Sequence, residues 1–303
     1  MSLWPISELI QHAWKHEYAL GYFESWNLES LQGVLDAAEM TGSPTIIGFN
    51  GEFLSHPGRK LAERIRCYAE LGKAGAADAR VPCGLIFNEC PNDDWVRKAV
   101  LAGFNLVMPA DSGASYDNYR LRVASLAEFA HRHGAAVEAE VGHLPFGGSE
   151  LGNGNSLTDP ELAAHFVDET KVDLLAVSVG NVHALTKGEQ ELDLKRLSQI
   201  GERVDTPLVL HGGTGITASS IREAIRLGVT KVNFGTYLKQ RYLEALRSSV
   251  GALERCLACE ADINPHELFG MGGEHDVLMA GRLAVRDAVL ERIELLGCCG
   301  KAD

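Results

Sequence analysis

The sequence of 303 residues predicts a (β/α)8 barrel, a TIM barrel, with extra helices at its C-terminal end. Eight short apolar segments alternate with segments of helical periodicity, and most of these segments are unbroken, as in strands buried on both faces. Polar side chains follow strands 3, 5, 6, 7 and 8, and the ends of these strands meet at one face of a barrel. No linker divides the chain, so we expect a single domain over residues 1–303. A doubly wound open sheet is the alternative fold.

The first half of the chain alternates helices and strands regularly. The predicted strands cover residues 18–23, 43–49, 81–87, 106–110 and 135–141. The predicted helices cover 4–16, a segment capped by Asn27, 57–74, a segment from Asp93 to near Gly103, and 116–133, with a turn at 76–78. A loop rich in Gly, Asn and Ser follows at 142–158, and loops of this length inside a compact domain are usually functional or mobile.

The second half continues the same alternation. Thr158 and Glu161 have capping-box spacing, which predicts the start of a helix, and a strand is expected at 174–180. A further strand at 207–211 precedes a helix that starts with Ser220 and Glu223, again at capping-box spacing, and a last strand covers 231–234. The chain after about residue 237 has a helical pattern, which gives the extra helices.

The glycine-rich turn between the last two strands is the most informative segment. Gly212, Gly213 and Gly215 follow the strand 207–211 and precede a helix. Backbone N–H groups exposed by such a turn, together with a helix N-terminus, form a binding site for phosphate. A turn of this kind is also common as a simple tight turn, so the function depends on its neighbours. His211 lies at the end of the preceding strand, where it is a candidate metal ligand.

The composition restricts the possible partners and location. The net charge of −13 disfavours nucleic acid and anionic membranes as partners. No apolar run has the length of a membrane span, and the N-terminal residues lack the apolar core of a signal peptide, so we expect a cytoplasmic protein. The seven cysteines form no disulfide framework, and Cys256 and Cys259, a CxxC pair, are interpreted as ordinary thiols.

Four side chains at strand ends form a candidate metal site. Glu89, Glu140, His183 and His211 follow four different strands, which a barrel would bring to one face. Two imidazoles and two carboxylates suit Zn²⁺, Mn²⁺ or Fe²⁺. Glu138 alternates with Glu140 along an apolar strand, so both side chains are expected inside the barrel, where an unpaired carboxylate would be costly.

The sequence resembles the class II, metal-dependent ketose-bisphosphate aldolases, which include fructose-bisphosphate and tagatose-bisphosphate aldolases. The resemblance covers nearly the whole chain and is most specific in residues 174–236. The segments that carry it include VEAEVG, VDLLAVSVGNVHALTKGEQELDLKRL, LVLHGGTGI and LGVTKVNFGTYLK. The resemblance implies a phosphorylated sugar as substrate, a divalent metal as cofactor with Zn²⁺ as the first expectation, and a homodimer or homotetramer.

The resemblance also implies roles for individual residues. His183 and His211 match zinc ligands, and Glu140 matches the glutamate that approaches the metal. Asn233 matches the residue that contacts the enediolate, and Glu150, on a loop with Gly147 and Gly148, matches the glutamate that helps to move the proton at the ketose carbon. The expected substrate-binding residues are Gly212, Gly213, Thr214, Asn233, Gly235, Thr236 and Lys187.

The sequence departs from the family at the end of the third strand. The family has a His-Leu-Asp-His motif there, and this chain has Ile86, Phe87, Asn88 and Glu89. Glu89 can bind a metal through oxygen, with a preference for harder ions than histidine has. Asn88 can orient a substrate by hydrogen bonds but cannot act as an acid or base. Glu24 replaces a residue that is usually Asn in the family.

Three functions are compatible with this pattern. We expect a metal-dependent aldolase-type lyase that cleaves or forms a phosphorylated ketose through a dihydroxyacetone-phosphate enediolate, with Asn88, Glu150 and Asn233 in the catalytic site. An isomerase, epimerase or decarboxylase would use the same enediolate without an acid for the aldehyde half. A non-catalytic subunit that binds a phosphosugar is the third possibility, and the retention of four candidate metal and proton-transfer residues argues against it.

Overall fold

The chain folds into a closed barrel of eight parallel strands in chain order. The coordinates are a computed structural model that describes residues 3–110, 113, 115–142, 157–182, 188–257 and 264–302, with the side chains of 252–257 excepted. The predicted (β/α)8 barrel is therefore confirmed, and the doubly wound alternative is excluded because β1 pairs with β8.

The strands and helices alternate around the barrel, as expected. The strands are β1 (Leu20–Ser25), β2 (Thr45–Asn50), β3 (Cys83–Cys90), β4 (Leu106–Pro109), β5 (Ala136–Val141), β6 (Leu174–Val177), β7 (Leu208–Leu210) and β8 (Val229–Phe234). The helices of the described residues are α1 (Ile6–Lys15), α2 (Leu28–Thr41), α3 (Gly51–Ser55), α4 (Ile65–Asp78), α5 (Asp93–Ala102), α6 (Tyr116–Arg132), α7 (Pro160–Thr170), α8 (Leu194–Gly201), α9 (Ala218–Arg226), α10 (Thr236–Leu257), α11 (Pro265–Leu268) and α12 (Val277–Leu296). Each strand begins and ends within three residues of its predicted bounds.

The C-terminal helices pack against the barrel wall. Helix α12 lies against α2 and α10 and contacts β1. The two helices α2 and α12 approach closely at Gly33, where a Cβ would lie 2.6 Å from the carbonyl oxygen of Arg282. Arg282 also forms a bidentate ion pair with Asp36 of α2. These contacts support the proposal that residues 1–303 form one domain, since the last long helix shares its core with the first strands.

One predicted helix has different bounds. The pattern at 57–74 predicts a helix, but residues 56–64 form a turn and irregular structure, and α4 begins at Ile65. Pro57 and Gly58 explain the difference, because proline has no N–H to donate and glycine disfavours helix. The predicted turn at 76–78 is also wrong, since α4 continues to Asp78. The chain leaves the helix at Ala79, three residues ahead of Pro82, which precedes β3.

The first predicted capping box is replaced by a different cap. Asp159, not Thr158, caps α7, and its carboxylate accepts hydrogen bonds from the N–H groups of Glu161 and Leu162. The Thr158 hydroxyl instead donates to the carbonyl of Val141 and accepts from the N–H of Ser178, which ties β5 to the end of β6. Hydrogen bonds from Thr158 to distant backbone groups therefore replace the predicted local cap.

The second predicted capping box is wrong for the same reason. Helix α9 begins at Ala218, and the Thr217 side chain caps it by accepting from the N–H of Ser220. The Ser220 hydroxyl accepts a hydrogen bond from the N–H of Leu192, 28 residues away. The segment from 143 to 156, which includes most of the expected loop, and the Cys256–Cys259 side chains lie outside the described part of the chain.

Close packing between β2 and β3 gives a test of the barrel register. Gly48 is paired with Ile86, and a Cβ at Gly48 would overlap the carbonyl oxygen and side chain of Ile86. We expect Gly48→Ala to lower the free energy of unfolding by about 1–3 kcal/mol, because the strands must separate to admit the methyl group. Denaturant unfolding measures this change. The control is Gly273→Ala, since no heavy atom lies within 4 Å of the position that a Cβ would take there; equal effects of both variants would contradict the register.

Candidate active site

The end of β3 carries an irregularity that brings Glu89 to the centre of the barrel mouth. The pairing register between β3 and β4 shifts between Phe87 and Cys90. Glu89 has a φ of 52°, a conformation that non-glycine residues rarely adopt and that is found mainly where surrounding contacts impose it. The amide of Asn50, at the end of β2, donates a hydrogen bond of 2.8 Å to one Glu89 carboxylate oxygen.

His211, just beyond β7, lies between three carboxylates. Its Nε2 is 2.8 Å from Glu138 Oε1. Its Nδ1 is 3.0 Å from Glu89 Oε1 and 3.6 Å from Glu140 Oε2. Glu138 is fully buried and Glu140 is 17% exposed, so the expected position of both side chains inside the barrel is observed. The structure therefore brings three of the predicted metal ligands, His211, Glu89 and Glu140, into contact.

The carboxylates control the charge of this cluster. Burial alone would lower the pKa of His211, but the hydrogen bonds to Glu138 and Glu89 raise this pKa to about 10. Burial alone would raise the pKa of Glu138, but Lys231 and His211 outweigh burial and hold the pKa below its ordinary value. Glu138 is therefore an ionised carboxylate at the centre of the barrel, stabilised by two cationic neighbours.

Lys231 on β8 is a site residue that the sequence analysis missed. Its side chain is fully buried, with Nζ 2.8 Å from Glu138 Oε2 and 2.5 Å from Asn233 Oδ1. The ammonium group also lies 5.2 Å from the centre of the Tyr22 ring. The signal was present in the sequence, because Lys231 and Asn233 alternate with Val232 in an apolar strand, which places both side chains on one face.

Asn181 fixes the backbone that leads into the glycine-rich turn. Its side-chain amide donates to the carbonyls of His211 and Val177, while its oxygen accepts from the N–H of Val179. These bonds join the end of β6 to the end of β7. His211 is therefore held through its backbone as well as through its ring.

The turn after His211 requires glycine. Gly212 has a φ of 67°, and a Cβ there would overlap the carbonyl of Val182. Gly213 to Gly215 form one turn of 3₁₀ helix, and the Thr214 hydroxyl accepts a hydrogen bond of 3.3 Å from the N–H of Tyr237 in the first turn of α10. The turn thus lies beside the N-terminus of α10, which begins at Thr236, in addition to preceding α9.

Glu24 and Lys239 lie beside this turn. A Cβ at Gly235 would overlap a Glu24 carboxylate oxygen, so the carboxylate approaches the backbone closely. The Lys239 ammonium, in the first turns of α10, lies 2.5 Å from the other oxygen of Glu24 and 4.2 Å from the centre of the Phe53 ring. Burial raises the pKa of Glu24, with Lys239 opposing the shift.

Several polar atoms inside the barrel have no hydrogen-bond partner among the described residues. They are Asn88 Oδ1, Asn233 Nδ2 and the hydroxyl of Tyr22, all in buried side chains. Buried polar groups in native proteins are almost always paired, with protein, water or ligand. These three atoms therefore mark the barrel interior below the mouth as a place where a polar ligand or water is expected.

Comparison with models of protein families shows to which family the chain belongs. The family model described as fructose-bisphosphate aldolase class-II matches residues 5–301. The chain belongs to the class II fructose-bisphosphate aldolase family. It is therefore an aldolase-type lyase, and the predicted resemblance is confirmed. Class II aldolases are generally metal-dependent.

Individual relatives cover the whole chain. The fructose-bisphosphate aldolase of Geobacillus stearothermophilus is 30% identical, over 100% of this chain and 99% of the relative. The sulfofructosephosphate aldolase of Alkalicoccus urumqiensis is 30% identical, over 97% and 96%. The crystal structure of the YdjI aldolase from Escherichia coli K12 superimposes with a TM-score of 0.79 at 29% identity, covering 99% of this chain and 100% of that one.

Part of the expected aldolase site lies outside the described residues. His183, Lys187 and Glu150 belong to the segments 183–187 and 143–156, for which the structure gives no placement. Within the segments that it does describe, no three His, Cys, Asp or Glu side chains have the arrangement of a complete metal site. The same segments contain no helix with the length and apolar character needed to cross a bilayer.

Proposed function

We propose that this aldolase is metal-dependent and cleaves or forms a phosphorylated ketose through a dihydroxyacetone-phosphate enediolate. The observation that supports the proposal best is His211, whose Nδ1 faces Glu89 and Glu140 at the barrel mouth while its Nε2 is held by Glu138. A histidine whose second nitrogen is held by a carboxylate is the usual form of a histidine metal ligand. We also propose a cytoplasmic location and a homodimer or homotetramer, on the likeness to the family.

The residues present fit a divalent cation. His183, His211, Glu89 and Glu140 would hold it, with Zn²⁺ as the first candidate and Mn²⁺ or Fe²⁺ as alternatives. With His211 neutral, as it would be when a metal replaces the proton on Nδ1, the cluster of Glu89, Glu138, Glu140 and Lys231 carries two net negative charges, which a divalent ion would neutralise. Glu89 adds an oxygen donor where the family has histidine, which favours a harder ion than an all-histidine set.

The bound metal would polarise the ketone oxygen and so make the proton on the neighbouring carbon easier to remove. The chain supplies the other parts of the reaction. Glu150 would take and return the proton, and the amide of Asn233 would donate a hydrogen bond to the substrate oxygen on which charge develops. The backbone of Gly212, Gly213 and Gly235, with the hydroxyls of Thr214 and Thr236 and the ammonium of Lys187, would hold the phosphate.

Asn88 favours a second candidate function. In the family the matching residue is an aspartate that exchanges a proton with the substrate hydroxyl, and an amide cannot do this. The Asn88 side chain is buried, with its oxygen unpaired in the described part of the chain, so it can accept a hydrogen bond from a substrate hydroxyl. An isomerase, epimerase or decarboxylase acting through the same enediolate would need no acid at this position.

Proton exchange separates the enediolate chemistry from simple binding. Dihydroxyacetone phosphate is incubated with the protein in heavy water, with Zn²⁺, with Mn²⁺ and with a chelator, and the hydroxymethyl protons are followed by NMR. We expect exchange with a metal and none with the chelator. Absence of exchange with every metal, in protein that binds the ligand, would contradict the proposal. Release of dihydroxyacetone phosphate from a panel of phosphoketoses then distinguishes an aldolase from an isomerase.

Restoring the aspartate tests the role of position 88. We expect Asn88→Asp to increase the rate of carbon–carbon cleavage by about 10-fold or more, since a positioned acid contributes at least this much, and to leave metal-dependent proton exchange nearly unchanged. Steady-state cleavage assays and exchange rates give both values. Asn118→Asp, an equal charge change on the exposed surface of α6, is the control. A variant with less cleavage than wild type would show that Asn88 itself serves the reaction.

Removing the charge of Glu24 tests the proposed phosphate site. Glu24 lies against Gly235 and holds Lys239, so Glu24→Gln removes a repulsive charge and frees the Lys239 ammonium for the phosphate. We expect the Kd for dihydroxyacetone phosphate to fall by roughly 3- to 10-fold, measured by calorimetry. The control is Glu39→Gln, which makes the same change of net charge in the surface pair with Arg80. Weaker binding by Glu24→Gln would place the phosphate away from Gly235.

A further inference from the structure

We propose that the buried ion pair between Glu138 and Lys231 is a positioning device that orients both His211 and Asn233. The inference rests on the proposed function, in which His211 binds the metal and Asn233 contacts the substrate. The four side chains form one continuous chain of contacts across the barrel interior: His211 to Glu138, Glu138 to Lys231, and Lys231 to Asn233.

Glu138 selects which nitrogen of His211 faces the mouth. A carboxylate only accepts hydrogen bonds, so the His211 Nε2 that lies 2.8 Å from Glu138 Oε1 must carry a proton. A metal ion bound at Nδ1 would displace the proton from that nitrogen, and the imidazole would keep its single N–H at Nε2, so that Nδ1 supplies the lone pair. Nδ1 is the atom that faces Glu89 and Glu140. Glu138 thus sets both the tautomer and the ring orientation that a metal ligand needs.

Lys231 selects which atom of Asn233 faces the substrate. An ammonium group only donates hydrogen bonds, so the Asn233 atom that lies 2.5 Å from Lys231 Nζ is the carbonyl oxygen Oδ1. The Nδ2 group must then point away from Lys231. It is buried and has no partner among the residues that the structure describes, so it is available as a donor to a substrate oxygen.

Burial of an ion pair in the core of a barrel carries a large desolvation free energy. Both side chains are fully buried, and a buried pair can often be replaced by apolar residues of similar volume with no loss of stability. Packing alone therefore does not require these two charges. Each of the two charged groups also contacts a residue of the proposed site: Glu138 contacts His211, and Lys231 contacts Asn233. The pair is thus better explained by orientation than by stability.

Comparison of single and double variants tests this role. Glu138→Met and Lys231→Met each leave one buried charge without its partner, so both should be destabilised, whereas the double variant has no unpaired charge and should recover most of the stability. Methionine at position 138 also removes the acceptor for His211 Nε2, which glutamine would keep. We expect Zn²⁺ affinity, measured by competition with a fluorescent chelator, to stay about 10- to 100-fold weaker in the double variant than in wild type. We also expect kcat to stay low. Recovery of affinity and kcat together with stability would overturn the proposal.

A matched control separates general destabilisation from positioning. The Asp36–Arg282 pair joins α2 and α12 outside the barrel, and the variant with Asp36→Asn and Arg282→Met removes the same charges. We expect this control to alter the unfolding free energy and to leave Zn²⁺ affinity unchanged. An equal loss of affinity in this control would show that destabilisation alone weakens the metal site, and would overturn the proposal.

A further variant tests the contact between Lys231 and Asn233 even if the double variant does not fold. Asn233→Asp keeps the acceptor for Lys231 but replaces the Nδ2 donor by a second acceptor. We expect the Zn²⁺ affinity and the free energy of unfolding to stay unchanged and kcat to fall by about 100-fold or more. An unchanged kcat would overturn the assigned orientation of the Asn233 amide. Wild-type protein that binds no Zn²⁺ would refute the proposed function, which distinguishes that failure from a failure of the positioning role.

Discussion

The structure depends on one constraint: charges inside a closed parallel barrel must be paired. Glu138 on β5 and Lys231 on β8 are fully buried, and removal of either partner would leave an uncompensated charge, at a cost of about 3–5 kcal/mol. The same pair contacts His211 and Asn233, so an ion pair that is costly to break inside the core also supports the side chains at the mouth. Core and site cannot vary independently in this protein.

The divergent residues of this aldolase lie around that supported centre. Glu89 replaces a histidine of the family motif, and the unusual backbone conformation at this residue directs its carboxylate to His211. In the proposed site, Asn88 would stand where the family has an acid for the aldehyde half, and Glu24 places a carboxylate beside Gly235. In the proposed reaction, the residues that would act on the ketone keep the pattern of the family, while the residues that would recognise the rest of the substrate differ from it. This division is what a change of substrate within one chemistry would require.

The sequence predicts the barrel and the convergence of its strand ends. The periodicity of apolar residues, the lengths of the strands and their alternation with helices can all be read from local sequence. Alternation along VEAEV placed Glu138 and Glu140 inside correctly. The same reasoning on KVN would have found Lys231, but a lone lysine in an apolar strand gives no indication of its partner across the barrel. The predicted caps at Thr158 and Ser220 failed because their hydroxyls bind distant backbone groups, Val141 and Leu192, which no local rule contains.

We propose above all that His211, Glu89 and Glu140 bind one metal ion, with Glu138 holding the other nitrogen of the His211 ring. Crystals of the zinc-loaded protein, measured on both sides of the zinc absorption edge, test it directly. We expect an anomalous peak about 2.0–2.1 Å from His211 Nδ1 and about 2.0–2.2 Å from oxygens of Glu89 and Glu140, with His211 Nε2 still in contact with Glu138. A peak bound through His211 Nε2, or a zinc ion that leaves Glu89 and Glu140 without contact, would contradict it.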